Sequence, residues 1–162
     1  MKGSGEQPSS RWDVRRITES PVLQRRSTSG SDSLLRLTAA LLVAAFAIHG
    51  IDHLRRGLDF EPMPILVIGT AQTLLVVLAV VLVAIRSRWA PVVAVAVGMV
   101  NATGFTLERL PDWFGPFSDS FAGASPHRHV TAYSRVFAIL DILAAIAFAV
   151  AGARVLRSRN PF

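Results

Sequence analysis

The sequence predicts an all-α fold: a four-transmembrane-helix bundle with a disordered N-terminal tail and a structured outer loop between the third and fourth helices. Three observations carry this. Of 162 residues, 51% are hydrophobic and only 17% charged, against about 25% charged in soluble domains. The apolar residues gather into four blocks, each near the ~20 residues that a helix needs to cross hydrocarbon. Basic residues cluster beside these blocks rather than on a separate face, which is how charge sets membrane topology.

The same composition excludes several function classes. The chain has no cysteine, so disulfide frameworks and thiolate metal ligation are unavailable. A net charge of +6 does not point to nucleic acid, because the basic residues flank membrane spans. No Gly-rich phosphate loop occurs, and Ser118 and Ser120 lie in no nucleophile elbow. No internal repeat is present.

Residues 1–33 are rich in Ser, Gly, Pro, Gln and Arg and lack sustained periodicity, so they read as a disordered basic tail. The pairs Arg15-Arg16 and Arg25-Arg26 suit contact with anionic lipid heads. The four-helix domain follows at 34–157, with spans at about 34–57, 64–85, 89–108 and 133–156, and a short tail at 158–162. The first span is about 36 Å long at ~1.5 Å per residue, enough to cross with some tilt. Ala45-Phe46-Ala47 resembles a signal-peptide processing site, but so long a tail is not expected before one.

The second span, 64–85, carries no charge, and Pro62 and Pro64 suit the tight turn that feeds it. In the third, Gly98, Asn101, Gly104, Phe105 and Glu108 fall at helical spacing on one side, and the small residues there invite close approach by another helix. The loop of residues 110–132 holds Trp113, Phe114, Phe117 and Phe121 among Pro, Gly and Asp, and reads as packed on the membrane interface. Trp89, Trp113 and Tyr133 are expected to anchor span ends, and Gln72 and Asn101 to hydrogen-bond between helices.

Placing the tail, the 86–88 turn and the C-terminus on one side gathers 12 of the 17 Lys/Arg and 4 of the 11 Asp/Glu. The positive-inside rule then gives a multi-pass protein of the cell membrane with cytoplasmic N- and C-termini. Arg55 and Arg56 are exceptions and are expected to pair with Asp59 and Glu61.

This topology carries most of the intramembrane ionisable groups toward the outer leaflet. His49 and Asp141 each fall roughly 12 Å inside a span, where such groups are costly and often functional. On the first helix, His49, Asp52, His53 and Arg56 share one stripe at i, i+3, i+4 and i+7. Two imidazoles one turn apart suit a divalent transition metal, with Glu108 or Asp141 as the third ligand and Asp52 orienting a ring. A b-type haem is the lesser alternative, held between His49 and His129. Arg56, Asn101, Asp112, Asp119, His127, His129 and Arg135 complete the expected polar lining. The His-Glu-x-x-His protease motif is absent.

A structural reading stands beside this one: His49 with Asp141, and Arg135 or Arg56 with Glu108, would tie the helices together. The sequence therefore supports two functions. In one, an outward-facing polar pocket binds a metal ion or small polar ligand. In the other, the chain is a non-catalytic accessory subunit that packs against other membrane proteins. Proton-coupled transport is disfavoured because residues 74–85 and 144–150 offer no ionisable relay.

The pairing of His-Gly-Ile-Asp-His-Leu-Arg-Arg-Gly (49–57) with Leu-Glu-Arg-Leu-Pro-Asp-Trp-Phe-Gly-Pro-Phe-Ser-Asp-Ser-Phe (107–121) resembles uncharacterised small four-span integral membrane proteins of high-GC bacteria. The resemblance spans about residues 34–157. It implies the four-span fold and no particular activity.

Overall fold

The computed structural model describes residues 21–57, 63–109, 121 and 129–159, with side chains of the first helix described from Gly30 onward. Among these residues the chain forms four helices and no strand: α1 (Pro21–Arg56), α2 (Met63–Ala84), α3 (Ala90–Arg109) and α4 (Ala132–Arg159). Each contains a stretch long and apolar enough to cross a membrane: Gly30–Arg56, Met63–Ala84, Ala90–Arg109 and Ala132–Arg159. The architecture is that of a multi-pass membrane protein.

Helix α1 starts at Pro21, well before the beginning read from composition. Proline suits a first helical position, and Leu23, Gln24, Arg25 and Arg26 are good helix formers despite their polarity. The rest of the expected disordered tail, residues 1–20, lies outside the described residues, as do Asp59, Glu61 and most of the 110–132 loop.

The helix ends are set by local chemistry. Gly57, at φ 91°, donates its N–H to the His53 carbonyl at 3.1 Å and closes α1. At the end of α2, Ser87 N–H donates to Leu82 C=O at 2.9 Å and Arg86 N–H to Val83 C=O at 3.1 Å, a Schellman-type cap whose left-handed position is Arg86, φ 54°. Ser87 Oγ then accepts the Trp89 N–H at 3.3 Å, beginning α3. Thr131 and Ser134 exchange backbone-to-hydroxyl hydrogen bonds at 3.2 and 3.4 Å, a reciprocal cap on α4.

In lipid, burying apolar surface gives helices little reason to associate, so close packing must do it. Helix α4 supplies that packing, lying against both α1 and α3. A Cβ placed on Gly98 would sit 2.6 Å from the Ala145 carbonyl oxygen, and one on Gly152 would sit 2.7 Å from that of Pro91. Backbones of α3 and α4 therefore touch, around a core that includes Ala94, Ala145, Phe148 and Val155. Gly98 and Gly104 do not share a face, contrary to the expected stripe: Gly104 abuts Gln72 of α2 instead. Six residues advance a helix by about 240° at 3.6 residues per turn, enough to turn from one neighbour to another.

Helix α2 is held more loosely, through one stripe of Ile65, Gln72, Val76, Ala79 and Val83. Its other faces, like Leu37 and Leu54 of α1, present large apolar side chains outward, as a lipid-facing surface requires. Arg159 pairs with Asp32 at 3.8 Å and donates to the Arg88 carbonyl at 3.4 Å. The start of α1, the α2–α3 turn and the end of α4 thus meet at one end of the bundle. The polar groups gather at the other.

Candidate functional site

The last two turns of α1 carry the predicted stripe, and α3 and α4 complete it from opposite sides. On the α4 side it forms a clamp. Arg55 donates to Asp52 Oδ1 from Nε and Nη2, at 3.0 and 2.8 Å. The same Nη2 reaches the His129 carbonyl at 3.2 Å and Ser134 Oγ at 3.2 Å, binding the end of α1 to the start of α4. Arg56 Nε lies 3.2 Å from Asp52 Oδ2. Asp52 Oδ1 is thereby hydrogen-bonded, while Oδ2 faces Arg56 as an ion pair without a hydrogen bond among the described residues.

On the α3 side the partner is Arg109, 2% exposed. Its Nη2 lies 2.5 Å from His53 Nε2 and 3.2 Å from His49 Nε2, while the two ring nitrogens are 3.1 Å apart. Three nitrogens from two helices therefore converge. Glu108 Oε1 contacts Arg109 Nη2 at 3.1 Å. Phe121 covers the cluster: its N–H donates to the Arg109 carbonyl at 3.2 Å, and its ring lies 5.1 Å from the Arg109 guanidinium and 5.7 Å from that of Arg56, within cation–π range.

A guanidinium only donates, so Arg109 offers its hydrogens to the ring nitrogens it faces. His49 Nδ1 is buried and has no hydrogen-bond partner among the described residues. Phe105 packs edge-on against the same ring at 5.0 Å, fixing its plane.

These rings form one wall of a cleft of about 240 Å³ between α1, α2 and α3. Phe46, Ile65, Leu66 and Phe105 supply apolar walls, His49, His53, Glu108 and Arg109 the polar end, and Gln72 with Thr70 and Thr73, whose hydroxyls donate to the Leu66 and Gly69 carbonyls, the α2 side. The cleft is open because Gly50 of α1 and Gly69 of α2 both line it, and a Cβ on either would meet nothing within 4 Å.

The chain matches no family model, no curated protein and no solved structure.

Of the residues expected to hold a metal, the structure brings His49, His53 and Glu108 to one cleft, but no group of three or more His, Asp or Glu side chains placed to hold an ion occurs among the described residues. The guanidinium of Arg109 stands beside both ring nitrogens, a cation where a metal would have to bind. Asp141 is fully buried, 0% exposed, and neither carboxyl oxygen has a hydrogen-bond partner among the described residues. Asn101 is also buried, with Nδ2 unpartnered. The expected pairing of Arg56 or Arg135 with Glu108 is replaced by Arg56 with Asp52 and Arg109 with Glu108, while the Arg135 side chain is exposed. His129 contributes its carbonyl to the clamp. Asp112, Asp119 and His127 lie outside the described residues.

Sequence reasoning missed Arg109, Ser134 and the two cleft glycines. The signal for Arg109 was available: Asn101, Phe105 and Arg109 recur at i, i+4 and i+8, and all three are buried. Ser134 follows Thr131 at the spacing of a reciprocal cap.

Proposed function

We propose that the protein is a ligand-binding protein of the cell membrane, with cytoplasmic termini and an outward-facing cleft between α1, α2 and α3. The ligand is a small molecule that presents a hydrogen-bond acceptor to His49, His53 and Arg109. The single observation behind this is the cleft of about 240 Å³ whose apolar walls end on His49, His53, Glu108 and Arg109, where the Arg109 guanidinium can only donate hydrogen bonds. Metal binding is not favoured, because Arg109 places positive charge against the two rings that would chelate the ion.

Benzoate, one ring bearing one carboxylate, is a suitable probe. Saturable binding to nanodisc-embedded protein, weakened by His49→Ala, supports the reading; binding that His49→Ala leaves unchanged contradicts it.

The accessory-subunit reading keeps one specific support. Asp52, Arg55 and Ser134 form a clamp that is complete without any ligand, so this half of the polar cluster is structural. Affinity purification from native membranes that recovers the chain alone counts against such a role.

A further inference from the structure

We infer that the ligand is an uncharged, flat, lipophilic ring compound with a carbonyl acceptor, and that it reaches the cleft from the bilayer through the gap that Gly50 and Gly69 leave between α1 and α2. This inference rests on the ligand-binding reading above and names its ligand class and route.

Three observations carry it. The gap is defined by absence of side chains at inward positions: Gly69 interrupts the stripe by which α2 packs, between Ile65 and Gln72. On α1, Gly50 lies between Phe46 and His53 at i+4 and i+7 spacing, on the face that lines the cleft. By contrast Gly98, Gly104 and Gly152 all have atoms of a neighbouring helix within 3.0 Å of a Cβ position. The last three serve packing, whereas Gly50 and Gly69 do not.

The depth of the gap decides the medium from which a ligand arrives. Gly50 lies six residues before the end of α1 and Gly69 six after the start of α2, each about 9 Å inside a span at ~1.5 Å per residue. The neighbouring Ile51, Leu54 and Val67 are each more than 60% exposed, so the mouth is rimmed by lipid-facing side chains.

The walls decide the chemistry. Phe46, Ile65, Leu66 and Phe105 favour an apolar body, and the volume, below the roughly 300–1,000 Å³ of drug-sized sites, limits it to one or two fused rings or a short chain. The Arg109 guanidinium at the polar end only donates hydrogen bonds, which suits an acceptor. Glu108 pairs with Arg109 at 3.1 Å, so their charges balance at the polar end, and a carbonyl adds none.

Menadione, a fused two-ring dicarbonyl, is the probe, and 2-methylnaphthalene, the same skeleton without carbonyls, is its control. The absence of cysteine removes the thiols with which menadione would react. Binding of radiolabelled menadione to protein in nanodiscs, corrected for empty nanodiscs, is expected to saturate. Excess 2-methylnaphthalene should compete at least about tenfold more weakly than unlabelled menadione, since the carbonyl contact is worth a hydrogen bond. Gly69→Leu should fill the gap and weaken binding by about tenfold or more, with an unchanged or higher melting temperature; if that variant does not fold, Gly50→Leu makes the same test. Non-saturable menadione binding, equal competition by 2-methylnaphthalene, or full binding by a folded leucine variant each overturns the inference. Benzoate binding without menadione binding overturns this inference and leaves the ligand-binding reading standing; binding of neither removes both.

Discussion

Arg109 Nη2 stands 3.2 Å from His49 Nε2, a contact that joins α3 to α1. Arg109 also touches His53, Glu108 and Phe121, so it ties the polar cluster together. Arg109→Met should destabilise the protein by roughly 2–4 kcal/mol, because it removes the ion pair to Glu108 and a donor to the rings. Unfolding in mixed detergent micelles measures this, and a change below about 0.5 kcal/mol would show that the cluster does not hold the helices together.

The glycines divide into two classes with opposite expected behaviour. Gly98→Ala and Gly152→Ala drive a methyl group into backbone carbonyls at 2.6 and 2.7 Å and should each cost about 1–3 kcal/mol. Gly50→Ala and Gly69→Ala meet nothing within 4 Å and should be neutral or gain about 0.5–1 kcal/mol from helix propensity. Melting temperatures of the four single variants test the division, and a common sign for all four would contradict it.

Asp141 is a fully buried carboxyl without a hydrogen-bond partner among the described residues. Its replacement by Leu should stabilise the fold by about 1–3 kcal/mol, since an unsatisfied polar group is removed and a similar volume retained. A Leu variant that unfolds more easily than the parent would show that Asp141 makes a stabilising interaction.

Arg86 occupies a left-handed backbone position at φ 54° in the cap of α2, where glycine carries no Cβ penalty. Arg86→Gly is expected to raise stability by about 1 kcal/mol. A loss of stability would mean that the arginine side chain outweighs its backbone strain.

The span pattern was legible in the sequence because charge-free runs of about 20 residues have few alternatives. The stripe of His49, Asp52, His53 and Arg56 was legible for a similar reason, since helical spacing alone aligns those residues. Which helix each residue meets was not. Glu108 meets the arginine beside it rather than Arg56 or Arg135, and Asp141 acquires no hydrogen-bond partner among the described residues, because pairing depends on helix rotation that a composition pattern leaves open. The cleft was hidden for a further reason: Gly50 and Gly69 act by lacking side chains, and a glycine that makes room resembles one that packs.

The most direct measurement is nitrogen NMR of isotope-labelled histidine side chains in the nanodisc-embedded protein, with His49→Ala supplying the assignment. The account predicts that the His49 side-chain resonances move when benzoate or menadione is added, because His49 lines the polar end of the cleft. His49 resonances that neither probe shifts would contradict the cleft as a ligand site.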